Sequence, residues 1–287
     1  MNGNESHRMN TPHEPDSQSK RSTYLVRHGA MRCYGEFSPP NGVEFERGTR
    51  IIGRTDRGTE SGEVLCPATK EAMAAVPDPT QGLILRAVTP DDERRIAEIK
   101  VNREQYYDRT AELIHGHRLA MQVVDVEELF GRERLLVYFL ANDRVDFREL
   151  VRTMAREFNA RIELRQIGPR DETKLLADYG DCGKPVCCNT HLIVMPAVSM
   201  RMAKLQKSSL DPNKISGRCG RLKCCLRYEQ DVYDEHLKLL PEIGSRVVTA
   251  EGPGKVLAQE LLAKRVLVEF EDGRRRPVPL ADVLTKL

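Results

Sequence analysis

Tryptophan is missing from the 287 residues, and aromatic residues reach only 5%. No run of about 18 consecutive apolar residues exists, so nothing in the sequence is built to span a bilayer as a helix. A surplus of one charge is lacking too: 45 Lys and Arg face 43 Asp and Glu, for a formal net charge of +2. Bulk electrostatics therefore announce neither nucleic acid nor an anionic membrane. Residues 1–20 are polar and have no apolar core, so they do not form a signal peptide and are expected to be disordered. Eight cysteines without an export signal belong to a reducing compartment, where metal binding outranks disulfides, and the expected location is cytoplasmic.

Six of the eight cysteines lie in one pattern written twice. Cys182-Gly-Lys-Pro-Val-Cys187-Cys188 and Cys219-Gly-Arg-Leu-Lys-Cys224-Cys225 both read C-G-[KR]-x-x-C-C. Thiolates are soft ligands that suit zinc or iron–sulfur clusters and not magnesium or calcium. Glycine beside a ligand permits a tight turn, and Lys184 and Arg221 are expected to lower the thiol pKa values. Zinc fingers and ribbons pair ligands at C-x2-C to C-x4-C around a tetrahedron. Here each C-x4-C carries a doubled cysteine, which gives six candidates for four places. Vicinal side chains diverge, so either some thiols pack while others bind, or the set divides between two sites. A [4Fe–4S] cluster, also held by four thiolates, is preferred on this spacing, with zinc as the alternative. Cys182 and Cys219 are expected as first ligands, joined by a member of each vicinal pair.

The chain reads as α+β in four folded segments. Residues 21–82 hold short strand-like runs and turn glycines, a small all-β module, with Pro67 to Gly82 as a connector. Cys33, Cys66 and His28 have no partners at ligand spacing and read as packing residues. Residues 84–169 give helix–strand–strand–helix–strand: a helix opened by Asp91 and Asp92 and running to about His117, strands at 119–126 and 135–140, a second helix, and a strand from Arg161. Asp146 and Glu149 have the spacing of a capping box for that second helix, and Phe147, Leu150, Val151, Met154 and Phe158 face a core. This α+β sandwich shows no nucleophile, general base or phosphate loop. The Cys-rich segment, 170–240, contains a helical stretch near Val198 to Leu210. Residues 241–287 alternate strands and turns as a small SH3-like barrel, in which Arg274, Arg275 and Arg276 read as a solvated charge run.

These segments resemble one bacterial family, the YaaT or RicT proteins with a polymerase-suppressor C-terminal domain. The resemblance is carried by R-V-D-F-R-E-L-V (Arg144 to Val151), A-R-I-E-L-R-Q-I-G-P-R-D-E (Ala160 to Glu172), C-G-K-P-V-C-C, and K-I-S-G-R-C-G-R-L-K-C-C-L-R-Y-E (Lys214 to Glu229), and more loosely by T-D-R-G-T-E-S-G-E-V (Thr55 to Val64). After His191 the family's phenylalanine and acidic-aromatic stretch is replaced by Leu192-Ile-Val-Met-Pro. The resemblance implies a non-enzymatic cytoplasmic regulator that holds [4Fe–4S] clusters through Cys182, Cys187, Cys188, Cys219, Cys224 and Cys225. It implies two small partner proteins of the Ric-type complex and an endoribonuclease, acting together in mRNA maturation. The residues alone also admit a structural-zinc RNA-binding protein, with a weak RNA contact through the C-terminal barrel. A thiol enzyme using Cys188 or Cys225 comes last, because the sequence has no C-x-x-C.

Overall fold

The computed structural model describes residues 22–40, 42–176, 179–194 and 196–286. The tail expected to be disordered, 1–20, lies outside them. Among the described residues no helix is long and apolar enough to cross a membrane. The chain divides into two compact units. Among the described residues, the first comprises those up to Gly29 and those within Cys33–Ile99 and Leu129–Arg134; the second comprises Ala30–Arg32, Lys100–Glu128 and those from Leu135 onward.

In the first unit, β1 (Tyr24–His28), β2 (Cys33–Ser38), β3 (Arg50–Arg54), β4 (Thr59–Pro67) and β5 (Thr80–Ala87) close a barrel in the order β1-β2-β5-β3-β4. The pairings are antiparallel except β2 with β5, which runs parallel from Gly35↔Thr80 to Ser38↔Leu83. Tyr24, Val26, Phe37, Ile51, Val64 and Ile84 fill the core. The Phe37 ring occupies space left by absent side chains: a Cβ on Gly82 would lie 2.6 Å from it, and one on Gly53 2.7 Å. The all-β reading of this region agrees with the barrel. The stretch expected as a connector holds α1 (Lys70–Ala74), whose N-cap is the Thr69 hydroxyl, and the start of β5.

His28 is more than a packing residue. It is 2% exposed, and its Nδ1 lies 3.1 Å from Glu60 Oε2. Glu60 also accepts a 2.5 Å hydrogen bond from the Thr55 hydroxyl and has Arg57 at 3.7 Å. Burial alone pushes the Glu60 carboxyl up, but the hydrogen bond and charge of His28, with Arg57 and Thr55, bring it below the ordinary glutamate value. A lone His in a strand gives no sign of a partner that arrives from another strand of the barrel.

Helix α2 (Pro90–Gly116) belongs to the first unit as far as Ile99. Its start is a reciprocal capping box: Asp92 N donates to the Thr89 hydroxyl at 3.3 Å, and Thr89 N donates to Asp92 Oδ2 at 2.9 Å. Ile96 packs with Ile52 and Phe130.

In the second unit, β6 (Gln122–Glu128), β7 (Arg134–Leu140) and β8 (Arg161–Gln166) form one sheet, and α3 is Arg148–Phe158. Ile114 from α2, Leu150 and Met154 from α3, and Val126, Leu135 and Val137 from the sheet share a core, as the helix–strand–strand–helix–strand order predicts. The reciprocal capping box expected at Asp146 and Glu149 does not form, although Asp146 Oδ1 accepts from the Arg148 backbone N–H at 3.2 Å. Phe147 is the N-cap without a side-chain bond, Asp146 is also forked by the Arg148 guanidinium, and Glu149 pairs with Arg152. Arginine two or three residues away competes for each carboxylate at the helix start.

The chain continues through α4 (Pro169–Leu176), α5 (Cys187–Thr190), α6 (Met200–Leu205), α7 (Pro212–Ile215) and α8 (Cys224–Leu239). It ends in β9 (Arg246–Thr249), β10 (Gly252–Glu260), β11 (Arg265–Phe270), β12 (Arg275–Pro279) and β13 (Val283–Lys286), ordered β12-β11-β10-β9-β13. A 3-10 turn, Leu280–Asp282, precedes the last strand, and the strand order is that of an SH3-like fold. Val247, Val256, Val266 and Val268 are fully buried in it.

Helix α8 is not legible as an amphipathic stripe because Gln230 stands on its buried face between Leu226 and Tyr233. That glutamine is satisfied from α6: Gln206 Nε2 donates to Gln230 Oε1 at 3.2 Å and to the Leu226 carbonyl at 2.6 Å. The helix is also fastened to the C-terminal sheet. Leu240 enters the sheet core, and His236 Nδ1 lies 2.9 Å from the Leu261 carbonyl.

Candidate metal centre

The two cysteine motifs adopt the same local fold. In the first, Gly180 N donates to Lys184 O at 2.9 Å and Gly183 N to Gly180 O at 3.0 Å. In the second, Gly217 N donates to Arg221 O at 2.8 Å and Gly220 N to Gly217 O at 2.9 Å. Gly183 and Gly220 have φ of 74° and 71°, the left-handed conformation that glycine adopts freely. The residue before each vicinal pair, Val186 or Lys223, is extended, and the pair itself opens a helix, α5 or α8. The structural repeat is therefore nine residues, G-x-C-G-[KR]-x-x-C-C, not seven. Gly180 and Gly217 each stand two places before a lead cysteine, so the longer repeat is legible in the sequence as well.

The copies face one cavity of about 110 Å³. Seven equivalent positions from each copy line it, including all six cysteines, and Arg170 and Thr173 of α4 complete the wall. A water needs about 10–15 Å³ by this measure, so the space exceeds what a single small ion requires. Cys182 is exposed and the other five are half-buried. Lys223 Nζ lies 3.2 Å from Asp181 Oδ2, a bridge from one copy to the other, and also donates to Lys214 O at 2.8 Å.

Burial is the main influence on Cys187, Cys188 and Cys225. It pushes Cys187 up to about 11, helped by the charge and hydrogen bond of Cys224 and then by Cys225 and Cys182. Cys188 and Cys225 are raised by burial and next by Cys224. The positive charge of Lys174 opposes the shift of Cys188. Desolvation leads each of these three shifts, and repulsion from the Cys224 thiol follows.

Among the described residues, no three His, Cys, Asp or Glu side chains are already set at metal-holding geometry. The donor chemistry nevertheless fits a soft metal or a cluster: the cavity offers sulfur from two copies of one motif, and oxygen ligands are nearly absent from it. Uptake of a metal by Cys187, Cys188 or Cys225 must displace a proton that burial favours. His191, just beyond the first copy, turns away into an edge-to-face contact with Tyr228, ring centroids 5.0 Å apart, and does not line the cavity. Cys33 and Cys66 are half-buried in β2 and β4 of the first unit and take no part. On the C-terminal sheet, Arg274, Arg275 and Arg276 pair with Asp272, Glu269 and Glu251 respectively. That run is paired with acids of β11 and of the turns beside it, which leaves little charge for phosphate.

Residues 82–167 match the PSP1 C-terminal conserved region, and residues 197–240 match the third domain of PSP1-like proteins. The chain is 42% identical over 234 residues to the stage 0 sporulation protein YaaT of Bacillus subtilis (strain 168), an alignment covering 80% of this chain and 84% of that one. No solved structure matches it.

Proposed function

The chain belongs to the YaaT family of PSP1-domain proteins, and on that premise we propose that it is a non-enzymatic regulatory adaptor of the cytoplasm whose duplicated knuckles hold a [4Fe–4S] cluster. Its partners are two small proteins of the Ric-type complex and an endoribonuclease, and the assembly promotes mRNA maturation. The observation that carries the reading is the convergence of two nine-residue copies, with all six thiols, on one cavity larger than a single ion needs. Cys182 and Cys219, with one member of Cys187/Cys188 and one of Cys224/Cys225, would hold the group through sulfur. When bound, the cluster supplies a redox- and oxygen-sensitive cross-link between the copies. The chain's own residues position it: Gly183 and Gly220 turn the knuckles, Lys223 and Asp181 tie them together, and α8 fastens the second copy to the C-terminal sheet.

The test is anaerobic purification of the chain with its co-expressed partners, followed by iron, zinc and acid-labile sulfide analysis. Broad absorbance near about 400 nm together with labile sulfide is expected, because thiolate-to-iron charge transfer is coloured and zinc is not. A colourless complex with stoichiometric zinc would replace this reading by that of a structural-zinc RNA-binding protein.

A further inference from the structure

The two knuckles share a backbone and differ in charge. With Gly180 set against Gly217, the second copy reads Lys214-Ile-Ser-Gly-Arg-Cys-Gly-Arg-Leu-Lys223, four cations and no acid. The matching stretch of the first copy, 177–186, has two acids, Asp178 and Asp181, and one cation, Lys184. A turn that only holds metal needs its glycine and its cysteines, which both copies have, so the added charge of the second has another use. Lys223 is engaged internally: its Nζ lies 3.2 Å from Asp181 Oδ2 and donates to Lys214 O at 2.8 Å. Lys214, Arg218 and Arg221 are exposed, and among the described residues their side chains have no acidic partner. Arg170 of α4 lines the metal cavity with Arg218 and is likewise unpaired among them. Asp171, at the same helix start, is turned to Gly168 N at 3.3 Å. Cations that served only to offset thiolate charge would be buried beside the sulfurs, where attraction is least screened. Lys214 and Arg221 instead stand in water and outside the cavity wall.

Exposed aromatic rings lie on the same segment. Among the described residues, the exposed tyrosines and phenylalanines are Tyr179, at 62%, and Tyr228, at 61%. Tyr179 closes the first turn against Pro185. Tyr228 borders a groove with Leu192, Val194 and Pro196, and Cys224 is common to the walls of that groove and of the metal cavity. Unpaired guanidinium groups suit phosphate, and exposed rings beside them suit stacked bases. Arg274, Arg275 and Arg276 of the C-terminal sheet are, by contrast, each paired with an acid. We propose that the second knuckle is a contact for single-stranded RNA, in which Lys214, Arg218 and Arg221 take phosphates while Tyr228 and Tyr179 stack on bases. The RNA surface of the chain is then the cysteine segment and not the C-terminal sheet. The inference is independent of which metal fills the cavity, and it rests on the proposed mRNA role only for choosing RNA over DNA. An acidic protein segment is the competing partner, and the rings exposed beside the cations favour nucleic acid over it.

The test is filter binding of the full, metal-loaded chain to a labelled single-stranded RNA of about 20 nucleotides without self-complementarity, over a series of salt concentrations. The double variant Lys214→Glu/Arg221→Glu should weaken binding about tenfold or more. Loss of two phosphate contacts should also make the slope of log K against log salt shallower by about 1.4, at about 0.7 per phosphate of a single strand. Lys214→Arg/Arg221→Lys keeps the number of charges and should keep the wild-type slope. Tyr228→Ala should weaken binding about fivefold or more and leave the slope unchanged. Arg275→Glu should match wild type, and metal content, measured on every sample, should stay constant. Wild type that fails to retain the RNA, or a loss in Arg275→Glu as large as in the knuckle variant, overturns the proposal. A loss of binding that follows loss of metal overturns it too, by assigning the cations to the centre. Poly-glutamate that displaces the RNA, together with normal binding by Tyr228→Ala, overturns it in favour of an acidic protein partner. Iron and labile sulfide test the cluster reading separately, since a zinc-loaded chain meets this RNA test on the same terms.

Discussion

Replacing Gly183 or Gly220 by alanine tests whether the two knuckles are equivalent. Both sit in the left-handed region, at φ of 74° and 71°, and a Cβ on either would meet nothing within 4 Å. The cost is therefore backbone strain alone, about 1–2 kcal/mol per residue. An empty loop is able to relax, so the strain is expressed when metal holds the turn in place. At about 1.4 kcal/mol per decade, each substitution should weaken zinc affinity by about 5- to 30-fold. Gly180 and Gly217 are the internal controls. Neither has positive φ, and the nearest atoms to an added Cβ are Cys182 Sγ at 3.6 Å and Arg221 O at 3.7 Å, ordinary contacts. Their alanine variants should stay within about 0.5 kcal/mol of wild type, or about twofold in affinity. Asparagine at 183 or 220 should recover part of the loss, because it tolerates the left-handed region. Competition with a chromogenic chelator reads every variant on one scale. A loss confined to one copy, or alanine at 180 costing as much as at 183, would show that the two motifs are not one structural unit used twice.

In the N-terminal barrel, Glu60→Gln breaks a buried pair with His28 and should cost about 3–5 kcal/mol, whereas Glu63→Gln removes a half-exposed partner of Arg27 and should cost about 1 kcal/mol or less. Hydrogen exchange of β1 and β4 peptides in the full chain separates the two, and equal effects would refute the buried-pair account. Because the folded Glu60 carboxyl lies below its ordinary value, its contribution is present above the unfolded glutamate value and is lost as pH falls through the lower folded one; wild-type barrel protection should fall in acid, and Glu60→Gln should flatten that fall. Gly82→Ala should cost about 1–3 kcal/mol in thermal unfolding, since its Cβ would enter the buried Phe37 ring, and an unchanged transition would mean the ring has room to move. Charge reversal at Arg275 should leave RNA retention in filter binding near wild type, because that guanidinium is already paired with Glu269; a large salt-dependent loss would make the sheet an RNA surface.

Much of the architecture was legible because its signals are local. The apolar spacing of Leu150 and Met154 marks α3, the turn glycines of the tail give the SH3-like strand order, and the doubled C-G-[KR]-x-x-C-C nominates all six thiols of the cavity. The sequence by itself determined that soft ligands occur in two matched sets, since residue type and spacing are enough for that. Only the tertiary structure decided that the two sets share one cavity. Two knuckles far apart in the chain return to it, and there burial, followed by the charge of neighbouring thiols, raises the Cys187 thiol. His28 found Glu60 only through strand pairing in a closed barrel, and Gln230 found Gln206 only through the packing of α8 on α6. Each of these depends on distances between residues far apart in the chain, and burial, charge pairing and thiol contact are set by those distances, not by spacing along the sequence.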